Sequence, residues 1–260
     1  MSDPVTFERD PDGVHRLTLA RPEAMNALNR ETVAALEDAA SALRDDDSAR
    51  VVIVGALGDR AFCAGADLKE RAGMSPDEVA EAVSAISRAM RSVEEIPVPT
   101  IAAINGAALG GGFELALACD IRIASTTSTL GLPEATLAII PGGGGTQRLP
   151  RIAGVARAKE LMFTGRRISA AEALQYGVVH EIVAQEELRM RATAIARTIA
   201  ANGPIAVRAA KEAIVRGLAM PLEEGLALEQ ELYGRTIHTK DRLEGLEAFR
   251  EKRTPEYRGE

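Results

Sequence analysis

Apolar and polar residues alternate in two short runs near the start of the chain, Val5 to Glu8 and Val14 to Leu19. The turn residues Asp10-Pro11-Asp12-Gly13 lie between them, so the two runs read as a β-hairpin. Val33, Leu36, Ala40 and Leu43 then recur at helical spacing behind Asn29, a good cap for a helix reaching about Asp45. Arg50 to Gly55 encloses Val-Val-Ile-Val and reads as a buried strand. Ser75-Pro76-Asp77-Glu78 combines a cap, a first-position proline and first-turn acids, and predicts a helix to about Val93. Pro97 and Pro99 lead into a strand over Thr100 to Ile104. A glycine loop, Gly110 to Gly112, a short apolar helix, Phe113 to Ala118, and a strand, Asp120 to Ala124, follow. From about Glu186 the chain reads as four helical segments, punctuated at Gly203-Pro204, at Pro221 and near Gly234. The βαβα order with buried strands predicts an α/β core. The apolar helical tail needs something to pack on, either this core or another subunit.

At 260 residues and 46% hydrophobic content, the chain can bury one large core with a small appendage. A net charge of −7 disfavours non-specific binding to nucleic acid or to an anionic membrane. No apolar run is long enough to span a bilayer, and Met1 to Asp10 has neither a basic start nor an apolar stretch. Two cysteines, Cys63 and Cys119, make no disulfide framework and no metal spacing. A soluble protein in a reducing, cytoplasmic setting is expected.

Candidate chemistry gathers at three glycine-rich places: Ala61 to Leu68, Asn105 to Leu115 and Pro141 to Arg148. None carries the Gly-Lys-Ser/Thr or dinucleotide spacing of a phosphate loop. Tight turns and close packing account for any one of them alone. The second says more, because its glycines run straight into a helix. N–H groups at such an end have no partner within the helix, and the dipole adds partial positive charge, which suits a developing oxyanion. Glu114 follows in the first turn, and Glu134 follows Pro133 at another helix start. Either acid alone reads as an ordinary dipole partner. Together, two carboxylates near an oxyanion site can hold one water and move protons at carbon. Cys63 and Cys119 have apolar neighbours and read as buried thiols. His15, His180 and His238 show no metal pattern and read as surface or hydrogen-bonding residues.

The segments Arg21 to Leu28, Leu137 to Arg151, Thr239 to Leu246 and Phe249 to Arg253, taken with the glycine-rich places in this order, resemble the crotonase (enoyl-CoA hydratase/isomerase) superfamily. The likeness runs over almost the whole chain, and within the superfamily it is to the 3-methylglutaconyl-CoA hydratase-like branch. The resemblance implies a ββα spiral catalytic core, residues 1–195, and a C-terminal helical region, residues 196–260, that assembles a homotrimer or a hexamer of two trimers. It implies an oxyanion hole from the N–H groups of Ala66 and Gly111, with Glu114 and Glu134 as catalytic acids. It implies coenzyme A contacts at Ala24, Ala27, Leu28, Ala64, Ala66, Asp67, Leu68, Lys69, Gly110, Gly111, Pro133, Gly142, Phe249 and Lys252. The expected activity is hydration of a 2-enoyl-CoA, with double-bond isomerisation and 3-methylglutaconyl-CoA hydration as alternatives. No metal, flavin or nicotinamide is expected, since coenzyme A is part of the substrate. The branch includes an RNA-binding member associated with a lysine-rich first helix. Here that stretch holds Glu31, Glu37, Asp38, Asp45, Asp46 and Asp47 against Arg30 and Arg44, which argues against tight RNA binding.

Overall fold

The computed structural model describes residues 3–260. The hairpin forms as expected, with β1 (Val5–Glu8) antiparallel to β2 (Val14–Leu19). A 3-10 turn, Pro22–Ala24, leads to α1 (Arg30–Arg44), where the Asn29 side chain accepts the Thr32 N–H. Next come β3 (Val51–Ala56), the three-residue β4 (Ala61–Cys63), one turn of helix, α2 (Leu68–Arg71), and the long α3 (Pro76–Glu94). Ser75 and Glu78 close the start of α3 as a reciprocal capping box. The same order then returns twice. First come β5 (Thr100–Ile104), β6 (Ala107–Leu109) and α4 (Gly111–Ala118). Then come β7 (Ile121–Ser125), β8 (Thr129–Gly131), a 3-10 turn (Pro133–Leu137), α5 (Gly145–Ala153) and α6 (Val155–Thr164). The chain continues through β9 (Ile168–Ser169), α7 (Ala170–Gln175) and β10 (Glu181–Val183). Four helices end it: α8 (Leu188–Ala200), α9 (Pro204–Gly217), α10 (Leu222–Ile237) and α11 (Lys240–Glu251).

Each ββα repeat places its longer strand in one sheet and its shorter strand in another. The large sheet has the order β1-β2-β3-β5-β7-β10, and the small one β4-β6-β8-β9. The chain therefore winds as the α/β spiral that the sequence resemblance implied. Period-2 alternation explains why β3 and β5 look uniformly apolar. Val52, Val54, Ala102 and Ile104 face the main core with α1, α3 and α4, while Val51, Ile53, Ile101 and Ala103 face α8.

The details depart from the sequence reading in three places. Helix α4 begins at Gly111, two residues before the expected Phe113, so Gly111 and Gly112 are helical. A Cβ on Gly112 would overlap the Cys63 carbonyl, so close packing of helix on strand, and not loop flexibility, demands glycine there. Helix α10 runs through Gly234, and the break falls at His238-Thr239, where the Thr239 side chain caps α11. The expected boundary at 195/196 lies inside α8, which seals the outer face of the large sheet with Leu188, Ala192, Ala196 and Ala200. The helices that pack apart from the sheets therefore begin at Pro204, with their own small cluster of Ala209, Leu228 and Leu232. The Lys211 side chain is 9% exposed and bonds to Asp120 at 2.7 Å and to the Val98 carbonyl at 3.0 Å, tying α9 to the core.

The same substitution at two helical glycines should have opposite signs. Gly112→Ala forces its methyl into the Cys63 carbonyl and should lower the unfolding free energy measured in urea by on the order of 1–3 kcal/mol. Gly234→Ala meets nothing within 4 Å. It should raise stability by about 1 kcal/mol through helix propensity.

Candidate active site

The small sheet assembles the site. Strands β4, β6 and β8 run parallel and adjacent, with Cys63 opposite Ala108 and Leu109 opposite Gly131. Their C-terminal ends therefore release three loops side by side, the usual place for a ligand beside parallel strands. The loop after β4 carries Ala66, the loop after β6 becomes the N-terminus of α4 at Gly111, and the loop after β8 carries Glu134. A Cβ built on Gly65 would stand 3.3 Å from the Gly111 nitrogen, and one on Gly111 would stand 3.8 Å from the Ala66 nitrogen. Two backbone N–H groups thus flank one spot that any side chain there would fill. Around Ala66, the Leu28 N–H donates to Gly65 O at 2.8 Å and the Asp67 N–H to Leu28 O at 3.0 Å. Those two bonds fix the loop without using the Ala66 N–H. Among the described residues, neither the Ala66 nor the Gly111 N–H donates a hydrogen bond.

Glu114, one turn into α4, is 2% exposed. Its Oε1 accepts N–H bonds from Gly143 at 2.8 Å and from Gly145 at 2.7 Å. Gly145 is the first residue of α5, so the carboxylate of one helix caps the next. Cβ atoms on these two glycines would stand 2.7 and 3.0 Å from the Glu114 oxygens, which leaves room only for glycine. Burial pushes the Glu114 carboxyl above the ordinary value, while the two N–H bonds and the charge of Arg148 pull it down. Glu134 is held differently. Its Oε2 is buried and has no hydrogen-bond partner. Burial, together with the nearby Glu114 charge, raises its carboxyl to about 7, against its own backbone N–H, which lowers it. Both carboxyls are thus raised by burial, but only that of Glu114 has two N–H donors and a cation favouring its charged form.

Both carboxyls, both N–H groups and an apolar wall that includes Val83, Ile86 and Ile140 face one cavity of about 360 Å³. The sequence profile described as enoyl-CoA hydratase/isomerase matches residues 9–260. The chain belongs to the enoyl-CoA hydratase/isomerase family. YngF of Bacillus subtilis (strain 168), itself named for this family, is 51% identical over 259 residues, covering 100% of both chains. The mitochondrial methylglutaconyl-CoA hydratase of Homo sapiens is 47% identical over 258 residues, 98% of this chain and 76% of that protein. A crystal structure of an enoyl-CoA hydratase from Bacillus anthracis superposes with a TM-score of 0.97 at 54% identity, over 99% of this chain and 100% of that one.

In this member of the enoyl-CoA hydratase/isomerase family, the cavity brings together Ala64, Ala66, Leu68, Gly110, Gly111, Glu114, Pro133, Glu134 and Gly142 of the expected set. Leu28 and Asp67 line a small adjoining recess. Asp67 also caps α2 and pairs with Arg21 at 3.2 Å, a structural duty besides any contact with a ligand. Ala24, Ala27 and Lys69 line neither space, and neither do Phe249 on the last helix and Lys252 just past its end; Phe249 is 86% exposed. No histidine lines the cavity. Both thiols are buried and pushed up to about 12 by that burial, so neither supplies a thiolate near neutrality. The sequence reading missed Gly143 and Gly145 as the partners of Glu114. Their signal was the four-glycine run itself, which is longer than a turn needs.

Glu134 should give one glutamate carboxyl titrating near 7 in a carbon-13 spectrum of the free protein, absent in Glu134→Gln. The folded value lies above that of an ordinary glutamate. The native state therefore holds this proton where the unfolded chain has released it. This group's contribution is full below the unfolded value and is lost as pH rises from the ordinary glutamate range through about 7. Urea midpoints across that window should fall less steeply in Glu134→Gln than in the wild type.

Proposed function

We propose that this protein is an enoyl-CoA hydratase, adding water reversibly across the 2,3 double bond of a 2-enoyl-CoA thioester. The observation that carries this reading is the pairing of two unpartnered N–H groups with two differently held carboxyls on one apolar cavity. In the reaction the thioester oxygen accepts the N–H groups of Ala66 and Gly111. These donors stabilise the enolate charge that grows as a water oxygen bonds to C3, and losing one such donor costs about 3–4 kcal/mol. Glu114, as carboxylate, takes the proton leaving that water. Glu134, as acid, delivers a proton to C2. One proton is gained by the enzyme and one is lost, and transfer between the two acids resets the site. Double-bond isomerisation needs the same acids without the water, so a 3-enoyl-CoA substrate measures how far this site divides its work.

A second reading concerns the acyl chain. Arg71 and Arg167 line the cavity, and among the described residues neither guanidinium has an ion-pair or hydrogen-bond partner. Two such cations suit an acyl chain that ends in a carboxylate, as in a 3-methylglutaconyl thioester. Phe249 and Lys252 enter the same proposal from another direction. They lie outside the cavity of their own chain, so a role in binding coenzyme A requires a neighbouring subunit. Exposed Leu218 and Leu222 at the turn between α9 and α10, and Leu243 and Leu246 on α11, support a trimeric or hexameric assembly.

Glu114→Gln and Glu134→Gln should each lower kcat for crotonyl-CoA by at least about 100-fold, with little change in coenzyme A binding. Near-wild-type hydration by either variant contradicts the two-carboxyl mechanism. If Arg71 recognises a distal carboxylate, Arg71→Met should cut kcat/KM for 3-methylglutaconyl-CoA by about 10-fold or more relative to crotonyl-CoA, the loss of a charge-assisted bond. Equal losses on both substrates would place Arg71 on the coenzyme A portion instead.

A further inference from the structure

Two charges in this fold stand at the wrong ends of their helices. Arg148 lies in the opening turns of α5, where the helix dipole disfavours a cation, and Glu94 is the last residue of α3, where it disfavours an anion. They meet in a bidentate ion pair, Nε to Oε1 at 2.9 Å and Nη2 to Oε2 at 2.7 Å. The Arg148 side chain is 15% exposed. Its remaining arm, Nη1, donates to the Gly143 carbonyl at 2.7 Å. Gly143 is thus gripped from both sides: its C=O accepts from Arg148, and its N–H donates to Glu114 at 2.8 Å. Gly144, in the left-handed region at φ 104°, has no room for a Cβ because the guanidinium occupies that place. A local rule broken twice, with every nitrogen of the guanidinium engaged, marks a device serving the site and not only the helix.

We propose that Arg148, locked by Glu94, is a positioning residue of the active site that acts on the Glu114 carboxylate through Gly143. The inference rests on the hydratase reading. It holds that the Gly143 N–H keeps its aim only while Arg148 clamps the adjoining carbonyl, and that the fixed cation behind the loop favours the proton-accepting form of Glu114. The other charged groups lining the same cavity are Glu134 from the turn after β8, Arg71 of α2 and Arg167 before β9. Glu94 of α3 stands behind the guanidinium and partly offsets its field.

The test is the pH profile of crotonyl-CoA hydration by the full-length protein. Arg148→Met should lower kcat by about 10-fold or more with KM changed by less than about 3-fold, the pattern of an interaction needed in the transition state. It should move the acid limb of kcat/KM to higher pH by about 0.5 or more, because the carboxylate loses its cation. Glu94→Gln should also lower kcat, through a looser clamp, but should move the acid limb to lower pH, because the cation is no longer offset. Arg148→Lys keeps the charge without the fork, so it should keep the wild-type limb and recover only part of the rate. A merely structural role gives no opposite pair of shifts. If Arg148→Met does not fold, the half-exposed Glu94 site decides: a limb that stays or rises in Glu94→Gln overturns the proposal. So does a folded Arg148→Met with wild-type kcat and profile. A wild-type protein that hydrates no 2-enoyl-CoA refutes the underlying reading, whatever the variants do.

Discussion

The two N–H bonds from Gly143 and Gly145 to the Glu114 carboxylate are the contact on which the site depends. A carboxylate this buried and left unpaired would cost several kcal/mol and would simply take up a proton. Held by the start of α5, it can stay charged inside an apolar wall. The same bonds dock α5 against α4 and fix the glycine run that roofs the cavity. Removing the carboxylate would therefore take away the cap that orients a neighbouring helix, besides the base that the proposed mechanism needs.

The second constraint is the register of the small sheet. Because β4, β6 and β8 are parallel and adjacent, their ends deliver two backbone donors and one acid to a single place. Helix α4 can begin there only because Gly112 lets it approach the Cys63 carbonyl. Two helix N-termini thus converge on the cavity with different tasks: that of α4 presents free N–H groups, and that of α5 is taken up by Glu114. Glu134 receives no such donors on Oε2, so the two acids, both raised by burial, are held differently although they share one space.

Much of this was legible in the sequence, for identifiable reasons. The long elements carried strong periodic or capping signals, and the Ser75 and Asn29 caps fall where expected. The three-residue strands β4, β6 and β8 did not, since so few residues show no period. Yet those strands set the geometry of the site, and only the family resemblance pointed to Ala66 and Gly111 together. The fold brings Glu114 and Glu134 to one cavity, which sequence spacing alone could not show. Arg148 stayed invisible because its work is a contact with a carbonyl and with Glu94, 54 residues away in the chain. Gly234 misled for the opposite reason: propensity marks it as a breaker, and tertiary packing carries α10 through it.

The central claim is that the Ala66 and Gly111 N–H groups polarise the thioester carbonyl of a bound substrate. Isotope-edited infrared difference spectroscopy tests this on crotonyl-CoA carrying carbon-13 at the thioester carbon. The ligand would be bound to a Glu114→Gln/Glu134→Gln protein, so that it survives the measurement. Two strong donors should move the labelled C=O stretch of the bound thioester to lower wavenumber than in the free ligand. A saturated complex whose carbonyl band stays at its solution position would contradict the account.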